Sequence, residues 1–253
     1  MRRLLSFLLL VPLLMLAASC SDGPSNPLDF SPDPSEPSPS GTGIMIDFSE
    51  FGGGDTISST HGVVVSLVAR GERCGDAVIA FNSSDPPGDS RDDLDLGTPN
   101  QAFGGPGVGD GGAAGPYQNN RPLGNLLVIQ EDPDIQETPN FKDGNPDPMD
   151  DCDDGGTVVF DFRELSARGV TILGVTVIDV DDRKQARSEF RLHGEDDRLL
   201  GLLSPPVTGP NGVATIDFGG VSGVLRMEVE QRVSVAIARI SIMAPDPVAG
   251  ESG

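Results

Sequence analysis

The side chains best placed to do chemistry in this sequence are carboxylates gathered in three runs. Asp85, Asp89, Asp92, Asp93 and Asp95 form the first, and Asp143, Asp147, Asp150, Asp151, Asp153 and Asp154 the second; Asp179, Asp181 and Asp182 form the third. Like charges crowded together repel, and a hard divalent cation that gathers roughly six to eight oxygen ligands relieves the repulsion. Asp93 and Asp95 are two residues apart, as are Asp179 and Asp181, and on an extended chain that spacing turns both carboxylates to one side. These four are the first candidates for ligands, with calcium as the cation that suits an all-oxygen set outside cells. The other reading of the same residues is a solvated acidic surface.

A second candidate set runs from Asp143 to Asp154. Asp143, Asn145, Asp147, Asp151 and Asp154 fall on ligand positions of the twelve-residue helix-loop-helix calcium loop. Pro148 stands where that loop turns sharply on a glycine, Asp154 replaces the longer Glu, and no flanking helix is expected, so the set ranks below the first. The whole chain carries 17 Lys and Arg against 39 Asp and Glu, a net charge of −22. Such a balance excludes a phosphate-reading nucleic-acid binder and a basic membrane-surface patch.

Catalytic chemistry finds few parts. His61 and His193 are the two imidazoles, neither within a nucleophile elbow or a zinc-binding spacing. With this many acids a pair for glycoside hydrolysis can be drawn almost anywhere, so no pair is evidence. The chain is read as a non-enzyme, and the rival hydrolase reading would require activity that disappears when His61 or His193 is changed. Gly107-Val108-Gly109-Asp110-Gly111-Gly112 satisfies G-x-G-x-x-G, but it lies in a loop, with neither strand before it nor helix after; a flexible loop is the better reading. Trp is absent and Tyr117 is the single Tyr, so a saccharide site here would have to be polar rather than a stacking platform.

Three cysteines divide into one and two. Cys20 follows Met1-Arg2-Arg3 and an apolar run from Leu4 to Ala18, too short to span a bilayer and suited to a secretory leader. Cys74 and Cys152 remain, and in an exported chain two remaining cysteines read as one disulfide. Residues 21–42 are rich in Pro and Ser and cannot bury a core; as an extended tether they would reach about 70 Å.

The elements that must position these groups begin after residue 42. Eleven short β-branched runs are separated by Gly, Pro and Asp: 44–48, 63–69, 76–81, 125–131, 157–162, 170–180, 188–193, 199–203, 213–218, 224–230 and 233–243. Several alternate with period two: Val158, Phe160 and Phe162 share one face, and Leu225, Met227 and Val229 oppose Val224, Arg226, Glu228 and Glu230. No stretch carries a capped helical stripe. The expectation is an all-β fold, an antiparallel jelly-roll β-sandwich of about eleven strands, with two long loops at 82–124 and 132–156, one Gly-rich and one acidic.

Two resemblances add to this reading. Leu16-Ala17-Ala18-Ser19-Cys20 resembles the lipobox of bacterial lipoproteins, with Ala17 where Leu is usual. It implies cleavage after Ser19, lipid on Cys20 and, since Ser21 rather than Asp follows the Cys, residence in the outer membrane. The order of Asp93-Leu94-Asp95-Leu96-Gly97-Thr98-Pro99-Asn100, the Gly-rich loop, Gly124-Asn125 opening an apolar strand that ends at Glu131, and a strand ending Asp179-Val180-Asp181 is similar to a group of exported bacterial β-sandwich domains. That resemblance covers about 43–243 and implies a surface β-domain, with no activity attached. It marks Asn100, Asn125 and Glu131, beside the four aspartates, as further site candidates. A looser likeness to galactose-binding-like jelly rolls implies a structural calcium. The domain plan is a leader at 1–19, anchor and linker at 20–42, one β-sandwich at 43–245 and a tail at 246–253. The expected role is surface binding or adhesion to a protein or glycan, calcium-dependent if the acids hold the ion; a carbohydrate-binding module and a structural envelope component are the alternatives.

Overall fold

The computed structural model describes residues 41–72, 74–86, 93–131, 152, 154–180, 188–232 and 234–246, and the structural statements below concern these. The leader, Cys20 and most of the linker lie outside them, as does the tail from residue 247.

Twelve antiparallel strands form two sheets. The first sheet places β10 (Val213–Val224), β7 (Val170–Ile178), β12 (Ala236–Ala244), β5 (Asn125–Glu131) and β4 (Cys74–Asn82) side by side, with β1 (Thr42–Ile46) also pairing with β12. The second runs β2 (Ser59–Thr60), β3 (Val63–Arg70), β6 (Gly156–Asp161), β11 (Arg226–Gln231), β8 (Glu189–His193) and β9 (Leu199–Leu203). From β5 to β8, and again from β9 to β12, each crossing carries the chain to the opposite sheet. The result is the expected jelly-roll sandwich.

The alternation seen in the sequence is what builds the core. Val158 and Phe160 of β6, Met227 and Val229 of β11, and Phe190 and Leu192 of β8 turn inward and meet Val175 and Val177 of β7 and Ile240 and Ile242 of β12, all buried. Phe190 and Phe218 pack edge to face with centroids 5.9 Å apart. Each large side chain moved out of water here contributes roughly 1.5–3 kcal/mol before conformational entropy is subtracted.

β4 and β5 depart from alternation. Val78 to Phe81 and Leu126 to Ile129 are buried without a break, so both faces of this part of the sheet are covered. The outer cover is the long loop: Leu96 and Leu123 close a second apolar cluster over Ile79, Phe81, Leu126 and Val128. The 93–124 segment is therefore a third layer folded onto the sandwich, not a flexible excursion.

Most strand ends shift by a few residues from the sequence reading, and two strands depart from it further. The glycines at 219, 220 and 223 suggest a turn after residue 218, but β10 continues to Val224, slipping register against β7 at two points. Glycine admits the positive φ values that such bulges require, 65° at Gly219 and 82° at Gly220. β2 is only two residues long, too short for any periodic signal, and exists because His61 and Gly62, at φ 51° and 77°, make a tight turn into β3 whose twist matches paired strands.

Cys74 and Cys152 form the expected disulfide, 5.4 Å between Cα atoms and 78 residues apart in sequence. It ties the start of β4 to the chain entering β6.

Candidate functional site

The long loop is held by a knot of buried amides. Asn211, in the turn between β9 and β10, is fully buried with φ 64°. Its Nδ2 donates to the backbone carbonyls of Asp95 and Gly97, both at 2.7 Å, while its Oδ1 accepts from Asn100 Nδ2 at 2.7 Å and Asn119 Nδ2 at 3.1 Å. Its backbone N–H donates to Asp179 Oδ1 at 2.9 Å, and Ser234 Oγ donates to Asp179 Oδ2 at 2.9 Å. One side chain thus joins the start, the middle and the end of the loop, and its backbone joins that knot to the end of β7. A second lock lies nearby: Ser83 and Thr98 share a hydroxyl bond of 2.6 Å, Ser83 Oγ donates to the Gly124 carbonyl, and Leu123 N–H donates to Thr98 Oγ1 at 3.0 Å. These buried hydrogen bonds replace the regular ladder that a loop lacks.

The G-x-G-x-x-G run now has a physical purpose. A Cβ on Gly107 would overlap the Gly97 carbonyl and the Asn211 amide, and one on Gly109 would overlap the Pro210 carbonyl. These glycines let the loop backbone lie directly against its own start and against the 208–212 turn. The expectation of a flexible loop is corrected accordingly: the glycines serve close approach rather than mobility.

Between this layer and the edge strand β10 lies a depression of about 190 Å³, lined by the Gln118–Arg121 segment with Leu123, Val213 and Thr215. The Val213 N–H donates to the Tyr117 carbonyl at 2.8 Å, which pins the rim to the strand. Gln118, Asn120 and Arg121 are exposed, whereas Asn119 is 1% exposed. The lining therefore offers carboxamides, a hydroxyl and a guanidinium over two apolar side chains, and no carboxylate.

The residues singled out from sequence fare differently. Asp179 is buried, and each of its carboxylate oxygens accepts a hydrogen bond from the knot. Asp95 meets the same knot through its backbone carbonyl. Asp93 opens a 3-10 turn, and its side chain lies outside the described residues, as do Asp143, Asn145, Asp147, Asp151 and Asp181. Asp154 is exposed, next to Gly71. No group of three or more His, Cys, Asp or Glu side chains among the described residues is arranged to hold a metal ion. Asn100 caps the 3-10 turn Gln101–Phe103 through Oδ1 and bonds the Gly109 carbonyl as well as Asn211. Asn125 Nδ2 donates to the Phe48 and Phe51 carbonyls at 3.0 and 2.6 Å, fastening the loop after β1. Glu131 ends β5 opposite Cys74. Asn100, Asn125 and Asp179 thus hold the fold's own backbone. Sequence reasoning missed Asn119 and Asn211. The turn-forming Gly209-Pro210-Asn211-Gly212 shows where a bend falls, but nothing local shows that its amide points inward.

The two histidines stand apart. β2 and β8 are four strand spacings distant within one sheet, roughly 19 Å. His61 Nδ1 lies 2.8 Å from Thr60 Oγ1, which donates its proton to Glu50 Oε1 at 2.6 Å. With that proton given to a carboxylate, the imidazole N–H is the donor of the pair. His193 Nε2 lies 3.5 Å from Glu228 Oε2, within a charged ladder where Arg226 reaches both Glu228 and Asp197 and Arg191 reaches both Glu189 and Glu230.

Two carboxylates are held below their ordinary range. Hydrogen bonds from Ser49 lower Asp47, helped by the nearby His61 and Arg239 charges, and bonds from Arg232 and then Arg191 lower Glu230; burial opposes both shifts. A depressed carboxyl stabilises the fold fully above its unfolded value, here 3.8 and 4.5, and loses that contribution as pH falls through the lower folded value. Unfolding by urea at a series of pH values should accordingly show stability falling below about pH 4.5, and a shallower fall in the Asp47→Asn, Glu230→Gln double variant. Parallel slopes for the two proteins would remove these pairs as contributors.

No protein-family model and no curated protein sequence matches the chain. Neither comparison supports the motif likeness to exported β-sandwich domains. Among solved structures, a Streptococcus pneumoniae fucose binding module is similar at 11% identity and a TM-score of 0.26, over 36% of this chain and 65% of that one. A mutant lectin binding domain of lectinolysin complexed with Lewis b is similar at 9% identity and a TM-score of 0.27, over 36% of this chain and 66% of that one. The chain thus spans just under two thirds of either structure.

Proposed function

We propose that this chain is a non-catalytic recognition module that binds saccharides, tethered to a bacterial outer membrane through lipid on Cys20. The observation that carries the reading is the preorganised loop layer. A long polar loop usually costs conformational entropy on binding; one already locked by Asn211 and Asn119 presents Gln118, Asn120 and Arg121 without that cost. Carboxamides, hydroxyls and a guanidinium around a small depression are groups that pair with the hydroxyls of sugars.

Register supports the display geometry. Thr42 pairs with Ala244 at one end of β12, so both chain termini leave the sandwich together. Ala236, at the other end of β12, pairs with Ile178, which also pairs with Val213 beside the depression. The nine residues of β12 separate its two ends by about 27 Å. A tether attached before Thr42 would therefore present the loop layer away from the membrane.

The test uses membranes from cells carrying the full-length chain. They should retain neutral glycans from an immobilised panel, and Cys20→Ala should leave the protein in the soluble fraction with its glycan binding intact. Retention of no glycan would overturn the recognition reading, and unchanged sedimentation of Cys20→Ala would overturn the anchor. Calcium and EDTA arms of the same assay test the cation expected at Asp93, Asp95, Asp179 and Asp181 and at the 143–154 acids.

A further inference from the structure

Asn119 has one polar atom that no group among the described residues uses. Its backbone N–H donates to the Gly112 carbonyl at 2.8 Å, and its carbonyl accepts from Asn100 N–H at 2.8 Å. Its Nδ2 donates to the Gly97 carbonyl at 3.0 Å and Asn211 Oδ1 at 3.1 Å. Both of those partners are acceptors, so the amide has one orientation; turning it over would set oxygen against oxygen. The planar amide then directs Oδ1 away from the knot, where it is buried and has no hydrogen-bond partner among the described residues. A buried acceptor left unmatched is costly, and such atoms in folded proteins call for a reason. Asn119 also lines the depression beside β10.

We infer that the depression is a subsite for one neutral sugar ring, in which Asn119 Oδ1 accepts a ligand hydroxyl and Arg121 donates to its neighbour. This deepens, and rests on, the saccharide reading above. The choice of ligand follows from the two protein groups. Asn119 Oδ1 needs a proton donor, which a sugar hydroxyl supplies, and the net charge of −22 on the chain repels the carboxylate of an acidic sugar. Arg121 is a cation with no ion-pair partner among the described residues, which disfavours an ammonium-bearing sugar. A hydroxyl both gives and accepts, so adjacent hydroxyls satisfy both groups at once. Leu123 and Val213 supply apolar surface for the C–H face of a ring, and Thr215 a further hydroxyl. The volume, about 190 Å³, is below the roughly 300 Å³ where sites for larger ligands begin, which suits a single ring.

The test is nuclear magnetic resonance on the full-length chain in detergent, titrated separately with a neutral hexose, a neutral 6-deoxyhexose, a hexuronate and a hexosamine. At least one neutral sugar should shift the Asn119 side-chain amide and the Arg121 guanidinium saturably, more strongly than the charged sugars. Arg121→Ala should weaken that binding about tenfold or more with no change in melting temperature, since the side chain is exposed. Tighter binding of the hexuronate or hexosamine would overturn the assigned ligand class. Saturable shifts confined to another surface, or unchanged in Arg121→Ala, would overturn the subsite while leaving the saccharide reading in place. Failure of every sugar here, together with retention of no glycan in the panel, would remove both.

Discussion

Asn211→Ala should lower the stability of the domain by about 4 kcal/mol, the sum of four buried hydrogen bonds at roughly 1 kcal/mol each. The four are those to the Asp95 and Gly97 carbonyls and from Asn100 and Asn119. Alanine at the φ of 64° adds backbone strain of about 1 kcal/mol, which Asn211→Gly avoids. Urea unfolding of both variants separates the two contributions. The glycine variant should retain most of the loss, and its amide exchange should rise selectively across 93–124. A loss below about 1 kcal/mol in the glycine variant would show that the loop layer stands on its apolar contacts at Leu96 and Leu123 alone.

Removing the Cys74–Cys152 crosslink should cost about 4.5 kcal/mol, the chain-entropy value for closing 78 residues. Both cysteines are buried, and Cys152 N–H donates to the Ile129 carbonyl at 2.9 Å, so the bridge also holds the chain entering β6 against β5. The Cys74→Ala, Cys152→Ala double variant avoids the question of reductant access and should show a lower denaturation midpoint. An unchanged midpoint would mean that the unfolded chain is already constrained over this span.

The strands were legible because their signal is local. Alternation in 157–162 and 225–230 shows which side chains point inward, and the structure buries Val158, Phe160, Phe162, Met227 and Val229 as that alternation requires. The continuous apolar run at 126–129 was also legible as a strand, and its lack of alternation carried a further message: an outer face that is apolar needs a cover. The cover was the segment whose glycines suggested slackness. Glycine marks both freedom and close approach, and only the neighbour decides which applies. Gly109 and Gly111 face the backbone of the 208–210 turn about one hundred residues later, a proximity no window on the sequence contains.

The candidate site divides along the same line. Composition, the paired cysteines, the β-sandwich and the polar character required of any saccharide site followed from the sequence alone, because each depends on residue type or short-range order. Which amides are fully engaged by the fold and which keep an atom unmatched among the described residues depended on tertiary placement. Asn100, Asn125 and Asp179 stood out by motif and proved to hold backbone, whereas Asn119 and Asn211 carried no motif and form the knot beside the depression. The physical reason is that an Asn side chain has two donors and two acceptor positions whatever its neighbours in sequence. What it does is decided by which of those are already engaged, and that is fixed only when segments distant in the chain are brought together.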